Sequence, residues 1–155
     1  MTEVWETRVA GKGCPFDGPR GEVSNGLRLI ETLEASSLYL EPIQTYAGHC
    51  VLVYDLAHIT RIDELTPKGW QTLAADIQRA ERALMQVFKP DHVNVASLGQ
   101  VVPHLHWHII PRYKSDPRWG GPIWTTDSQE MQQVLLDERA YEERQAQIRD
   151  VLVNL

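Results

Sequence analysis

What this chain has little of sets its first limits. Cys14 and Cys50 are its only cysteines; they are too few for a disulfide framework, and so sparse a use fits a reducing compartment. No stretch approaches the ~20 consecutive apolar residues that cross a bilayer, and the opening MTEVWETRVAGKG lacks the apolar centre of a secretory leader. A cytoplasmic protein without membrane contact is the expectation. There is no run of Lys and Arg either: 15 basic residues stand against 21 acidic ones, a net charge of −6. That balance argues against binding long nucleic acid by phosphate neutralisation, while a local site can still meet one phosphorylated ligand. Internal repeats and low-complexity tracts are absent.

What is present is enough for one domain. At 155 residues, 43% hydrophobic and 23% charged, the chain can bury roughly 68–70% of its unfolded surface in a single core. The Gly- and Pro-rich stretch AGKGCPFDGPRGEVSNG makes residues 1–26 an irregular N-terminal arm. SSLYLEPI and HCVLVYD, separated by QTYAG, read as an antiparallel hairpin over 37–55. Thr66 then Pro67 is a helix start, a capping side chain before a proline. Trp70, Leu73, Ile77, Ala80, Leu84 and Val87 recur at helical spacing until Lys89-Pro90 stops the helix. HVNVASL reads as a strand. Residues 113–155 divide into the loop DPRWGGPIW and a charged amphipathic helix, DERAYEERQAQIRDVLV. Hairpin, long helix, strands and tail helix make an α+β fold with an antiparallel sheet.

The chemistry concentrates in VVPHLHWHIIPR, residues 101–112. Alternate residues of a strand share a face, so His104, His106 and His108 fall on one side, with Leu105, Trp107 and Ile109 on the other. As a helix, the same spacing would turn each imidazole roughly 200° from the next, and Pro103 and Pro111 suit strand ends better than helix interiors. Three readings of such a face compete. The histidines can be polar residues on a solvated strand. They can bind metal, but a rise of ~3.3 Å per residue puts His104 and His108 about 13 Å apart, too far to share one ion, so helpers such as His49, Cys14 and Asp17 would be required. Or one neutral imidazole can attack phosphorus while a neighbour steadies an oxygen. Spacing by two supplies such a pair.

HLHWHII, preceded by LGQVV and by the upstream GHCVLV, resembles the histidine triad (HIT) family, whose pattern of His, apolar, His, apolar, His, apolar, apolar is matched throughout residues 104–110. The likeness runs from about Cys14-Pro15-Phe16 to Arg112, and DPRWGGPIW resembles a bacterial branch. It implies a single HIT-like domain over 1–155, an antiparallel sheet with a long helix and a C-terminal helix. It also implies a nucleotide-binding hydrolase or transferase that cleaves at the α-phosphate of dinucleoside polyphosphates or nucleoside phosphoramidates through a nucleotidyl-histidine. His106 matches the family's nucleophile, His108 the donor to a phosphate oxygen, His104 the supporting histidine and Gln100 the glutamine near phosphate and leaving group. Asn94 matches a nucleotide-binding asparagine and His49 the histidine behind the nucleophile. Glu41, eight positions before His49, stands where a family residue binds ribose hydroxyls, and its carboxylate can accept both.

The family also implies a homodimer, which the helix over 67–88 and its neighbouring strand could build, and this leaves a non-catalytic nucleotide-binding or zinc-binding interaction protein as the alternative function. No cofactor is required for the chemistry. Zinc is a weaker reading, with Cys14, Asp17, His49 and His104 as its ligands; Asp17 stands where zinc-binding members carry a second cysteine. Val101 stands where many members have Ser or Thr, removing a donor to phosphate. Trp119 or Trp124 could stack on a base, although large aromatics pack into cores by default.

Overall fold

A computed structural model describes residues 2–116, 118–124 and 133–155; Pro117 and residues 125–132 of the expected tail loop lie outside them. Among the described residues nine elements follow in order: α1 (Thr2–Val9), β1 (Arg28–Thr32), β2 (Ser36–Leu40), β3 (Cys50–Tyr54), a 3-10 turn (Ile62–Glu64), α2 (Pro67–Phe88), β4 (His92–Ala96), β5 (His106–Arg112) and α3 (Glu138–Leu152). The strands form one antiparallel sheet in the order β1-β2-β3-β5-β4. The architecture is α+β, as the patterning and the family likeness imply.

Helix α2 begins where Thr66-Pro67 predicts: the Thr66 hydroxyl accepts from the Gly69 N–H at 3.0 Å, satisfying one of the donors left open at a helix start. It ends at Lys89 in the left-handed region, whose N–H returns to the Met85 carbonyl before Pro90. Asp137 caps α3 by accepting from the Ala140 N–H. Leu73, Ala80 and Leu84 of α2 and Tyr141, Ile148 and Leu152 of α3 pack with Leu38, Leu52, Leu105, Trp107 and Ile109 into the main core, on the sheet face away from the histidines. Trp70 stays partly exposed, its ring 6.2 Å from that of Trp107. Asp76, buried on α2, accepts from the Ala35 N–H and the Ser36 hydroxyl, each at 2.8 Å, and so ties the helix to the β1–β2 turn. A second, smaller core covers the other face, where Cys14 and Phe16 of the arm lie on Tyr39, Val51 and Val53.

Three expectations need correction. The arm is not wholly irregular, because Thr2–Val9 is helical; with little apolar periodicity, its order comes from contacts ninety residues away. Arg28–Thr32 adds an edge strand that the sequence pattern did not single out. His104 stands just before β5, its N–H turned back onto the Val102 carbonyl, although it keeps to the histidine face. No helix among the described residues is long and apolar enough to cross a membrane.

Candidate active site

The register places the polar residues in rows across the sheet, since opposed residues of antiparallel strands point the same way. One row is Tyr39, Val51, His108 and Ala96; the next includes Val53 and His106. On the other side of the His108 row, the Glu41 N–H donates to the His49 carbonyl, and Asn94 pairs with Ile110. The face therefore runs from Glu41 on one flank, across the histidines, to Asn94 on the other. With strands ~4.8 Å apart, Glu41 and Asn94 are about 14 Å from each other.

His106 is buried, and its Nδ1 lies 2.6 Å from the His104 carbonyl. A carbonyl only accepts, so the proton belongs on Nδ1 and the lone pair on Nε2. Burial, and secondarily the nearby His104, lower its pKa against the bond to that carbonyl, which raises it. The ring is thus held as a neutral base with a chosen nitrogen free. His108, whose ring lies 5.4 Å from that of His106, is pushed down to about 4 by burial and by His106. Its Nδ1 meets the Nε2 of His49 at 3.1 Å, and burial with the His108 charge lowers His49 to about 3. The two rings share one hydrogen bond as a neutral pair. Behind them, Gly48 has φ +88, and a Cβ there would stand 2.5 Å from the Phe88 ring; glycine lets the chain turn into His49.

Glu41 is raised by burial, against a lowering bond from the Ile43 N–H. Gln100 sits in the loop between β4 and β5, and α1 grips both its neighbours: Trp5 Nε1 donates to the Gly99 carbonyl at 3.0 Å and Arg8 to the Val101 carbonyl at 3.2 Å. Val101 is 78% exposed, where a hydroxyl would have met solvent or ligand.

His104 shares the face but gives both ring nitrogens to other partners. Its Nε2 lies 2.6 Å from the Tyr54 carbonyl and its Nδ1 lies 3.0 Å from Asp17 and 3.6 Å from Cys14 Sγ. The fourth member of this cluster is His58, bonded to Asp17 at 2.9 Å; ligand atoms from Cys14, Asp17, His58 and His104 all lie within 4.8 Å of one another. His49 is not among them, which corrects the expected metal set: it is committed to His108 on the other side of the triad. The donor set suits a divalent cation. With its Nε2 N–H donated to the Tyr54 carbonyl, His104 would take a cation through Nδ1, and that backbone bond is the outer-shell pattern of ligating histidines. Cys14, raised chiefly by burial and further by Asp17, stays a thiol unless a cation favours thiolate. His58 Nε2 is buried without a partner. Nothing in the sequence around His58 marks it; only folding brings AHIT beside the arm.

Sequence reasoning also missed Arg112. Its buried guanidinium bonds Asp116 at 2.6 Å, the Asn94 side-chain carbonyl at 2.6 Å, and the carbonyls of Gly121 and Arg118. These bonds bend the chain after β5 back over β4, where Trp124 meets the His108 ring with centroids 5.3 Å apart.

Comparison with known proteins agrees with this fold. The HIT domain family matches residues 31–115. A bis(5'-nucleosyl)-tetraphosphatase of Schizosaccharomyces pombe is 35% identical over 89 residues, 54% of this chain and 47% of that protein. A bis(5'-adenosyl)-triphosphatase of Saccharomyces cerevisiae is 38% identical over 80 residues, 48% and 38% respectively; the match thus spans less than half the length of each relative. Among solved structures, a histidine triad protein of Bradyrhizobium japonicum superposes with a TM-score of 0.75 at 27% identity, over 86% of this chain and 99% of that one.

Proposed function

Because the chain belongs to the HIT domain family, we propose that it is a nucleotidyl hydrolase or transferase acting at the α-phosphate of dinucleoside polyphosphates or nucleoside phosphoramidates. The observation that carries this reading is the tautomer of His106, whose Nδ1 is committed to a backbone carbonyl so that Nε2 presents its lone pair. The match to relatives named as tetraphosphatase and triphosphatase supports the substrate class.

In this reading His106 Nε2 bonds the α-phosphorus while the bond from phosphorus to the bridging oxygen, or to nitrogen in a phosphoramidate, breaks; its electron pair leaves with the departing phosphate, or with the amine, which takes up a proton from solvent. With His49 Nε2–H donating to His108 Nδ1, His108 keeps its own proton on Nε2 and donates it in a hydrogen bond to a phosphate oxygen, an interaction that strengthens as charge develops. Water or another acceptor then bonds the phosphorus and gives its proton to solvent, while the N–P electron pair returns to His106. Glu41 accepts from ribose hydroxyls, and Gln100 and Asn94 hold the phosphate. Asn94 is suited to this because Arg112 occupies its side-chain carbonyl and so leaves its amide N–H groups as the available donors.

Cys14, Asp17, His58 and His104 would hold a zinc ion, which when bound would cross-link the arm, the loop after β3 and the segment leading into β5. The homodimer reading rests on β4 at the sheet edge and on the exposed Trp70, Met85 and Val95; a monomer by light scattering at micromolar concentration would end it.

The test is AMP release from diadenosine polyphosphates and an adenosine phosphoramidate under excess chelator, beside His106→Asn. Release in the parent protein, lost in the variant while AMP binding persists, is the expected result. A variant at full rate refutes the His106 role, and a parent protein that binds nucleotide but turns over no substrate favours the non-catalytic binding reading.

A further inference from the structure

One cavity on the histidine face shares Asn94 and Arg112 with the chemistry above, and the rest of its wall has no part in that chemistry. It has a volume of about 870 Å³ and lies beyond His108, floored by Asn94, Ala96, Ile110 and Arg112 and roofed by the loop carrying Trp119 and Trp124. Its size falls within the range of small-molecule sites. We propose that it is a second nucleoside subsite, which seats the base of the leaving half of a dinucleoside substrate against Trp119 and Trp124; the inference rests on the function proposed above.

Three observations carry it. First, its place: Glu41 stands on the β2 flank of the histidines and this cavity on the β4 flank, about 14 Å across the sheet. A ligand with a nucleoside at each end and phosphates in the middle has the same order as the face: ribose acceptor, imidazoles, aromatic pocket. Second, its wall is continuous with the reacting centre, since Trp124 touches the His108 ring and Ala96 is the strand partner of His108.

Third, the roof is built rather than loose. The buried Arg112–Asp116 ion pair, with side chains only 4% and 3% exposed, anchors the loop at its start. Arg112 holds the carbonyls of Arg118 and Gly121, and Arg118 reaches on to the Ile123 carbonyl at 2.9 Å. A buried ion pair with its remaining hydrogen bonds filled is a costly way to fix a surface loop. What it fixes in place are two tryptophans left 44% and 45% exposed rather than used in the core. Exposed indoles beside a phosphate site form a stacking platform, and stacking accepts any base because every base has a π face. The subsite therefore predicts selectivity for a second aromatic group over a bare phosphate chain, with little preference among bases.

The experiment uses the full chain carrying His106→Asn, to prevent turnover, and two probes with the same phosphate count: diadenosine tetraphosphate and adenosine 5'-tetraphosphate. Dissociation constants are measured by calorimetry. The two-base ligand should bind at least about tenfold tighter, a factor within the range of stacking on an aromatic side chain. Trp119→Ala and Trp124→Ala, each added and checked for unchanged thermal unfolding, should each cut that ratio severalfold. Equal affinities in the parent, or an undiminished ratio in both variants, would overturn the subsite while leaving the function intact. If neither ligand binds, the function reading falls, and the subsite with it.

Discussion

Lowering the pH from about 7.5 to about 5 should remove roughly 4 kcal/mol of folding stability through two histidines alone. His49 and His108 are held down to about 3 and about 4 in the folded protein, chiefly by burial, against 6.5 for the free side chain. The folded state therefore binds fewer protons than the unfolded one, so stability is full above the unfolded value and falls as the pH drops through the window from 6.5 toward 4 and 3. At about pH 5 each unfolded imidazole is nearly saturated while each folded one is still mostly neutral, which costs about 2 kcal/mol per residue. The assay is urea denaturation followed by tryptophan fluorescence at both pH values. Glu41 works in the opposite direction, because burial raises it and protonation then favours the folded state. His49→Asn isolates the histidine contribution: asparagine does not titrate, and the lowering of His108 comes from burial and His106 rather than from His49. The variant should lose about 2 kcal/mol less than the parent over the same interval. Equal losses in the two proteins would refute the reasoning.

Gly48→Ala should destabilise by about 2–4 kcal/mol, since it adds a left-handed alanine to a Cβ that collides with the Phe88 ring; a change in urea midpoint too small to resolve would show that Phe88 yields freely. Asp76→Ala leaves the Ala35 N–H and the Ser36 hydroxyl buried without their acceptor and should cost about 3–5 kcal/mol, again read from urea unfolding, with a loss under about 1 kcal/mol counting against it. Zinc titration against a chelating dye should give one site per chain, weakened at least about tenfold by Cys14→Ser or His58→Ala, as expected for the loss of one ligand of four. Binding indifferent to both changes would remove the cluster from consideration.

The parts of the fold legible in the sequence are those whose cause is local. Thr66-Pro67, the apolar spacing of α2 and Lys89-Pro90 each act within a few residues, and the helix begins and ends where they place it. The histidine face was legible for the same reason: a period of two fixes sidedness whatever the strand's neighbours. His58 and Arg112 were not legible, because their roles arise from distant pairing. His58 becomes a candidate ligand only when the chain brings it to Asp17, 41 residues earlier. Arg112 looks like an ordinary cation at a strand end until the loop closes over it. His49 was recognised as a site residue but also assigned to the metal set, since imidazole chemistry suits either role and only the sheet register places it beside His108. Helix α1 lacks an apolar stripe and is held through Trp5 and Arg8 to backbone carbonyls that no side-chain pattern encodes.

That last attachment has a kinetic side. An eight-residue helix is marginal by itself in water, and α1 is joined to the loop around Gln100 on both sides of that residue. Fraying of α1 and release of the loop are therefore coupled through these two bonds. Amide exchange at residues 99–101 should follow that of residues 2–9 rather than that of the adjoining strands, making the amino-terminal helix the clock for how often the Gln100 loop opens.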